Sequence, residues 1–192
     1  MFIHGSGGNS NIWKEQFNLN IYYNIIALDL PSHDKSDEFL EHSLELYVDV
    51  LRRFIESLDL KNVILSGHSL GGAVIQAYYF KYPSDVIALI LIGTGGRLRV
   101  LPSILETVRY NFQMFIDSFN DDLKREYLKT APNVIYDDFK ICDGFDTLDK
   151  TALINIPCLI VVGKDDIMTP VKYSEFFHKK INISELVIIE KA

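Results

Sequence analysis

Residues 62–81, NVILSGHSLGGAVIQAYYFK, decide the fold of this chain. The first part of this stretch is an apolar run typical of a buried strand, and the last part suits a helix that ends before Pro83. The pattern Gly-x-Ser-x-Gly joins the two parts, with Ser69 at its centre. In a sharp strand-to-helix turn the serine hydroxyl stands clear of the sheet, and glycine two positions to either side avoids a steric collision. We therefore predict that Ser69 is a catalytic nucleophile.

A glycine-rich loop near the N-terminus is the second informative segment. His4-Gly5-Ser6-Gly7-Gly8 directly follows the apolar pair Phe2-Ile3. After a strand, such a turn brings backbone N–H groups close to a substrate oxygen, and the helix that begins after Ser69 adds the favourable field of its N-terminus. We predict an oxyanion hole formed by the N–H groups of Ser6 and Leu70.

The rest of the chain alternates between strand and helix patterns. Four more apolar runs have the length of buried strands, at residues 24–30, 86–93, 158–163 and 185–190. Apolar residues recur with helical period over 44–58, after Ser43 as a helix N-cap, and a further helix is predicted over 171–181. This alternation predicts an α/β fold with a mostly parallel sheet flanked by helices.

Residues 95–155 interrupt the alternation, because they are rich in helix formers and aromatic side chains. We interpret them as two to four helices inserted as a cap over one end of the sheet, since ligands bind at the carboxyl ends of strands in open sheets. Ordinary packing helices are the alternative interpretation. The predicted division is a core in 1–94, a helical cap in 95–155 and a second part of the core in 156–192.

Composition limits the classes of partner. The formal charge of −7 provides no basic surface for nucleic acid or anionic membrane. Cys142 and Cys158 form neither a close metal-type pair nor a disulfide framework, and Cys158 is expected to be a buried thiol. No secretory signal or bilayer-length apolar run is visible, so we expect a cytoplasmic location. No metal or cofactor site is predicted, because the histidines and acidic residues lack ligand spacing.

Three motifs together carry a resemblance to a known family. HGSGG (residues 4–8), GHSLGG (67–72) and GKDDIMTP (163–170) follow one another as they do in the α/β-hydrolase fold, and the chain resembles its esterase-like serine hydrolases. DLPSHDKS (29–36) is similar to the family's Asp-x-Pro-Gly-His-Gly-x-Ser loop, with Ser32 and Asp34 in place of glycines. These two departures leave the backbone conformation of that loop open. The resemblance implies the α/β-hydrolase fold with a helical cap insertion.

The resemblance also indicates the acidic member of a Ser-Asp-His triad. In this fold the chain order is serine, acid, histidine. The family's acid matches Asp166, three residues after Gly163 and four before Pro170. Adjacent side chains usually point apart, so only one of Asp165 and Asp166 is expected to face a histidine, and we favour Asp166. Two solvated loop carboxylates are the plainer alternative.

None of the five histidines stands where the family's catalytic histidine belongs, after the last strand. His4 is expected to hold the glycine-rich loop by hydrogen bonds, and the side chain of His68 is expected to point away from the nucleophile's partner. His33 lies in the loop after an early strand. His42 is expected to be solvent-exposed, and His178 to lie on the outer side of a helix.

The expected reaction follows from these motifs. The resemblance implies a cofactor-independent serine hydrolase that acts on a small-molecule acyl substrate, a carboxylic ester or related compound, through a triad whose histidine lies beyond Ala192. On this interpretation the sequence is an internal fragment in which edge elements of the fold are missing at both ends. A catalytically inactive fragment or a non-catalytic ligand-binding member of the same fold is the alternative.

Overall fold

A single six-stranded sheet forms the centre of the computed structural model, which describes residues 1–192. The strands are β1 (Phe2–Ile3), β2 (Ala27–Leu28), β3 (Val63–His68), β4 (Val86–Ile92), β5 (Cys158–Gly163) and β6 (Ser184–Ile189). They are arranged in the order β2-β1-β3-β4-β5-β6, and every neighbouring pair is parallel. The predicted α/β fold class is therefore confirmed.

Helices connect the strands. They are α1 (Leu44–Ser57), α2 (Leu70–Lys81), α3 (Pro102–Tyr110), α4 (Phe112–Asp117), α5 (Asp121–Tyr127), α6 (Pro132–Gly144) and α7 (Val171–Lys180), with 3-10 helical segments at Ser10–Ile21, Pro83–Asp85 and Leu148–Leu153. Helix α2 packs against β3 and α1, and α7 packs against β5 and β6. No helix combines the length and apolar character needed to cross a membrane.

Helix α1 shows how the local sequence determines an element. The side-chain oxygen of Ser43 accepts a hydrogen bond of 3.1 Å from the backbone N–H of Leu46, which satisfies one of the free amides of the first turn. The buried residues Tyr47, Val48, Leu51 and Ile55 lie on one face of the helix. The predicted helix and its cap are confirmed.

Two strand predictions require correction. Only Ala27 and Leu28 of the expected buried strand 24–30 pair with a neighbour, and both are half-buried. The reason is that β2 is an edge strand whose one partner, β1, is itself two residues long. Strand β4 was expected to be buried on both faces, but Ala88, Ile90 and Ile92 on one face are only half-buried. Ile87, where the pairing with β3 shifts register, is 45% exposed.

The loop that departs from the family pattern retains its backbone shape. Ser32 has φ 64° and Asp34 has φ 42°, the left-handed region that glycine adopts without strain. Ser32 offsets part of this strain through its side chain, whose Oγ accepts a 2.8 Å hydrogen bond from the backbone N–H of Phe39. Two non-glycine residues therefore adopt the left-handed conformation in this loop.

Helices α3 to α6 lie between β4 and β5 and have a hydrophobic cluster of their own. Its members are Val108, Phe115, Ile116, Ile135 and Phe139. None of them belongs to the larger cluster between the sheet and α1, α2 and α7, which includes Cys142 and Cys158 as buried free thiols. Residues 95–155 thus contain four α-helices, and part of this segment, including Leu98, Phe145 and Ile154, packs into the larger cluster.

Candidate active site

Ser69 occupies a strained turn between β3 and α2. Its backbone has φ 51° and ψ −115°, and its N–H donates a 3.1 Å hydrogen bond to the carbonyl of Ile92. A Cβ atom at Gly67 would lie 2.3 Å from the carbonyl oxygen of Gly71, and one at Gly71 would lie 2.3 Å from that of Ile3. Only glycine fits at either position, so the turn that presents Ser69 depends on the whole pentapeptide.

The glycine-rich loop packs directly against this turn. A Cβ atom at Gly5 would lie 3.1 Å from Cβ of Ser69 and 2.9 Å from Nδ1 of His68. The backbone N–H of Ser6 donates to no protein acceptor. Leu70 is the first residue of α2, where amides lack intrahelical acceptors. The two predicted oxyanion donors therefore belong to segments that meet at Ser69, and both are free to bind an oxygen.

His4 fixes the start of the loop, as predicted. Its Nε2 accepts a 3.0 Å hydrogen bond from the backbone N–H of Leu30, so its Nδ1 carries the proton and donates to the carbonyl of Gly5 at 2.8 Å. Burial and the nearby His33 lower the pKa of His4 to about 4, because both disfavour the imidazolium form. The neutral ring is the form that the hydrogen bonds require.

We expect the protein to lose stability as the pH falls from 6.5 towards 4. Folding lowers the pKa of His4 from 6.5 to about 4. The contribution of His4 to the free energy of unfolding is therefore fully present above pH 6.5. It is lost as the pH falls towards 4, because only the unfolded state binds a proton in this range. The free energy of unfolding should fall by about 3 kcal/mol over this range. Urea unfolding at several pH values measures it. A His4→Gln variant should show a flatter profile, and equal profiles would contradict the explanation.

Asp166, in the loop after β5, lines the same cavity as Ser69. Its Oδ1 accepts a 2.8 Å hydrogen bond from the N–H of Thr169, and its Oδ2 accepts one of 2.7 Å from the Thr169 hydroxyl. A Cβ atom at Gly93 would lie within 3.4 Å of both Asp166 Oδ2 and His68 Nε2, so these two groups lie near each other. Asp165 is exposed, whereas Asp166 is half-buried. Of the two aspartates, Asp166 is the one that lines the cavity.

A cavity of about 450 Å³ contains these groups. Ser6, His68, Ser69 and Asp166 lie on the side of the sheet, while the inserted helices supply most of an apolar wall formed by Ile12, Ile104, Phe115, Phe119, Leu123, Tyr127, Phe139 and Met168. No lysine or arginine lines the cavity. The site therefore combines a small polar patch with an uncharged apolar wall, as ligand sites commonly do.

The histidines differ from expectation in two cases. His42 was expected to be exposed, but its side chain is 1% exposed, because Asp137 of α6 and Ser32 cover it with contacts of 3.2 and 2.9 Å. His68 does not point away from the site, since it lines the cavity beside Asp166, and burial lowers its pKa. His178 is exposed on α7, as predicted. No histidine forms a hydrogen bond with Ser69 or Asp166.

One buried carboxylate was missed in the sequence. Asp138 lies in α6 between buried Ile135, Phe139 and Cys142, and it is fully buried itself. An acidic residue on the apolar face of a helix was the available signal. Its Oδ2 accepts a 3.0 Å hydrogen bond from the N–H of Gly7, next to Ser6. The same helix that covers the cavity thus contacts the predicted oxyanion loop.

Comparisons with known proteins identify the family to which the fold corresponds. The model of a family described as "Alpha/beta hydrolase family" matches residues 1–191. "Putative esterase/lipase 2" of Mycoplasma pneumoniae is 27% identical over 196 residues, covering 91% of this chain and 73% of that protein. A solved structure described as a thermophilic esterase is 36% identical with a TM-score of 0.85, and the match covers 100% of this chain and 80% of that one.

A third similarity is more limited in extent. An uncharacterized protein of Mycobacterium tuberculosis is 36% identical over 98 residues, which are 50% of this chain. The match covers 29% of that protein, so this chain matches less than a third of its length.

Proposed function

The chain belongs to the alpha/beta hydrolase family, and we propose that it hydrolyses carboxylic esters or related acyl compounds with Ser69 as nucleophile. The observation that carries the proposal is the convergence of the Ser69 turn, the Ser6 loop and Asp166 on one cavity. The names of the Mycoplasma pneumoniae relative and of the thermophilic esterase support an ester as the substrate.

In the proposed reaction, Ser69, the two oxyanion donors, a histidine and Asp166 have distinct roles. The Ser69 hydroxyl oxygen attacks the ester carbonyl carbon while a histidine takes its proton, and the carbonyl oxygen becomes an oxyanion held by the N–H groups of Ser6 and Leu70. The tetrahedral intermediate collapses, the ester C–O bond breaks, and the histidine returns the proton to the departing alcohol. Water then releases the acid from acyl-Ser69 by the same steps. Asp166 orients the histidine and stabilises its charge.

The inserted helices define the proposed substrate. We assign residues 95–155 as a cap, because their aromatic and aliphatic side chains form most of the cavity wall opposite Ser69. Burial of an apolar chain against this wall is favourable, and no cation is present to pair with a substrate carboxylate. Uncharged esters with an apolar acyl or alkyl group of moderate size fit this wall.

The proposed reaction also requires a histidine base that takes the proton of Ser69. Both ring nitrogens of His4, His33 and His42 contact other groups, and His178 does not line the cavity, so none of these four histidines is placed to take the Ser69 proton. His68 lines the cavity but contacts neither Ser69 nor Asp166 within hydrogen-bonding distance. We therefore assign the base to a histidine outside residues 1–192.

Imidazole rescue tests this assignment. A positioned general base raises the rate of such a reaction about 10²- to 10⁴-fold. Dissolved imidazole should restore part of this enhancement, so we expect it to raise the turnover of p-nitrophenyl butyrate by residues 1–192 at least about 10-fold. The Ser69→Ala variant measures hydrolysis by imidazole itself. Substantial turnover that imidazole does not raise would place the base within residues 1–192, and His68→Asn would then identify it. Absence of any Ser69-dependent turnover would contradict the proposed hydrolase and favour a ligand-binding cavity.

A further inference from the structure

We propose that Asp138 is a positioning residue, a carboxylate of the cap helix α6 that holds the oxyanion loop in place by accepting the backbone N–H of Gly7. The inference rests on the proposed function and extends it, because it assigns part of the oxyanion hole to a residue outside the sheet. Asp138 does not touch the substrate, and it acts through the loop.

The contacts of Asp138 join three separate segments. Its Oδ2 accepts hydrogen bonds of 3.0 Å from the N–H of Gly7 and of 3.0 Å from Nε2 of His33, and its Oδ1 accepts one of 2.7 Å from the hydroxyl of Tyr47 in α1. The side chains of Asp138, His33 and Tyr47 are 0% exposed. Helix α6, helix α1 and two loops are thus fixed relative to one another by one carboxylate.

The hydrogen bonds of His33 connect Asp138 to a second loop. Nδ1 of His33 lies 2.9 Å from the carbonyl oxygen of Pro31, which can only accept, so this nitrogen carries a proton and donates it. Burial alone would lower the pKa of His33, but the hydrogen bond and charge of Asp138 outweigh it and raise the pKa. Asp138 therefore contacts a histidine whose protonated form it favours, and it accepts from two further donors.

The hydrogen bond from the N–H of Gly7 links Asp138 to the loop that carries Ser6. Gly7 follows Ser6 and has φ 63°, and a Cβ atom there would lie 2.6 Å from the ring of Tyr127 in α5. The residue next to the oxyanion donor is therefore held between a cap aromatic ring and a cap carboxylate. Charge-assisted hydrogen bonds to a backbone N–H are stronger than neutral ones, and a small displacement of a catalytic donor lowers the rate considerably. Asp138 keeps the Ser6 N–H directed at the developing oxyanion.

The choice of a charged residue favours a positioning role over simple stability. A buried ion pair contributes little net stability, because removing both charges from water costs about as much as their attraction returns. An apolar side chain like its neighbours Ile135 and Phe139 would pack at the same position. Asp138 instead provides an acceptor whose location is determined by His33 and Tyr47, and the loop amide is bound at that location.

The test compares Asp138→Leu, which removes the acceptor of the Gly7 N–H, with Asp137→Leu, a change of the adjacent residue of α6 that contacts His42 and Lys140. Inactivation by a fluorophosphonate, with imidazole at one concentration for all proteins, gives a reversible binding constant and a maximal rate of Ser69 labelling. We expect Asp138→Leu to lower the maximal rate about 10- to 100-fold with a nearly unchanged binding constant, and Asp137→Leu to change neither. An unchanged maximal rate in folded Asp138→Leu would overturn the inference, because a merely structural role lowers the melting temperature alone.

Nuclear magnetic resonance of the unmodified protein provides a second measurement that does not depend on variants or turnover. The Gly7 amide proton should be shifted downfield and protected from exchange. A rapidly exchanging Gly7 amide would overturn the inference. Failure of the probe to label the unmodified protein, with the Gly7 signal as expected, would overturn the proposed function and leave the loop anchor intact.

Discussion

Replacing Ser69 with alanine is expected to lower kcat for ester hydrolysis by about 10⁶-fold in a form of the enzyme with a complete triad, because every later step requires the bond to Ser69 Oγ. In residues 1–192 alone, the same change should remove the whole imidazole-dependent rate. Fluorophosphonate labelling followed by peptide mass spectrometry should locate the label on Ser69 and find none in the variant.

The matched control is Ser66→Ala. Ser66 lies three residues earlier in β3, and its hydroxyl is buried without a hydrogen-bond partner. Removing an unpaired buried hydroxyl costs little stability, so this variant should fold, be labelled and turn over ester at the unmodified rate. Labelling that persists in Ser69→Ala would show that another residue is the nucleophile and would refute the assignment.

The second large effect is expected at Asp166. In a complete triad, Asp166→Asn should lower kcat about 10⁴-fold, because an amide cannot stabilise the histidine cation and allows the wrong tautomer. The hydrogen bond from the Thr169 N–H can still form to the amide oxygen, so the loop should retain its shape. Steady-state kinetics separates this loss in kcat from a change in KM.

Asp165→Asn is the matched control for Asp166. Asp165 is exposed and takes part in the structure through its backbone N–H, which donates to the carbonyl of Ala192 at 2.8 Å. Its substitution should leave kcat within about twofold, as is usual for an exposed surface residue. A large loss at Asp165 with little at Asp166 would reverse the assignment that the sequence motif favours.

Local features of the site could be predicted from the sequence, because they depend on neighbouring residues. The Ser69 turn requires glycine at 67 and 71, where a side chain would collide with backbone, and that requirement appears directly as a motif. The N-cap Ser43 and the loop anchored by His4 are similar cases, since few residue types can make those bonds.

Features that depend on the inserted helices could not be predicted. His42 is buried because Asp137 lies over it, and Asp138 reaches Gly7 across 131 residues of sequence. The sequence around His42 does not distinguish it from an ordinary surface histidine. The position of Asp138 on the apolar face of a helix indicates burial but does not identify Gly7 as its partner. The partly open face of β4 was missed for a related reason, because an apolar run does not show whether a neighbour covers it.

The separate hydrophobic cluster of the inserted helices has an evolutionary consequence. Phe115 belongs to this cluster and not to the core of the sheet, so a substitution there alters the wall of the cavity while the Ser69 turn keeps its own support. Substrate preference can therefore diverge among descendants without a matching loss of fold. Helix α6 is the constrained exception, since it carries Phe139 of this cluster and Cys142 of the larger one.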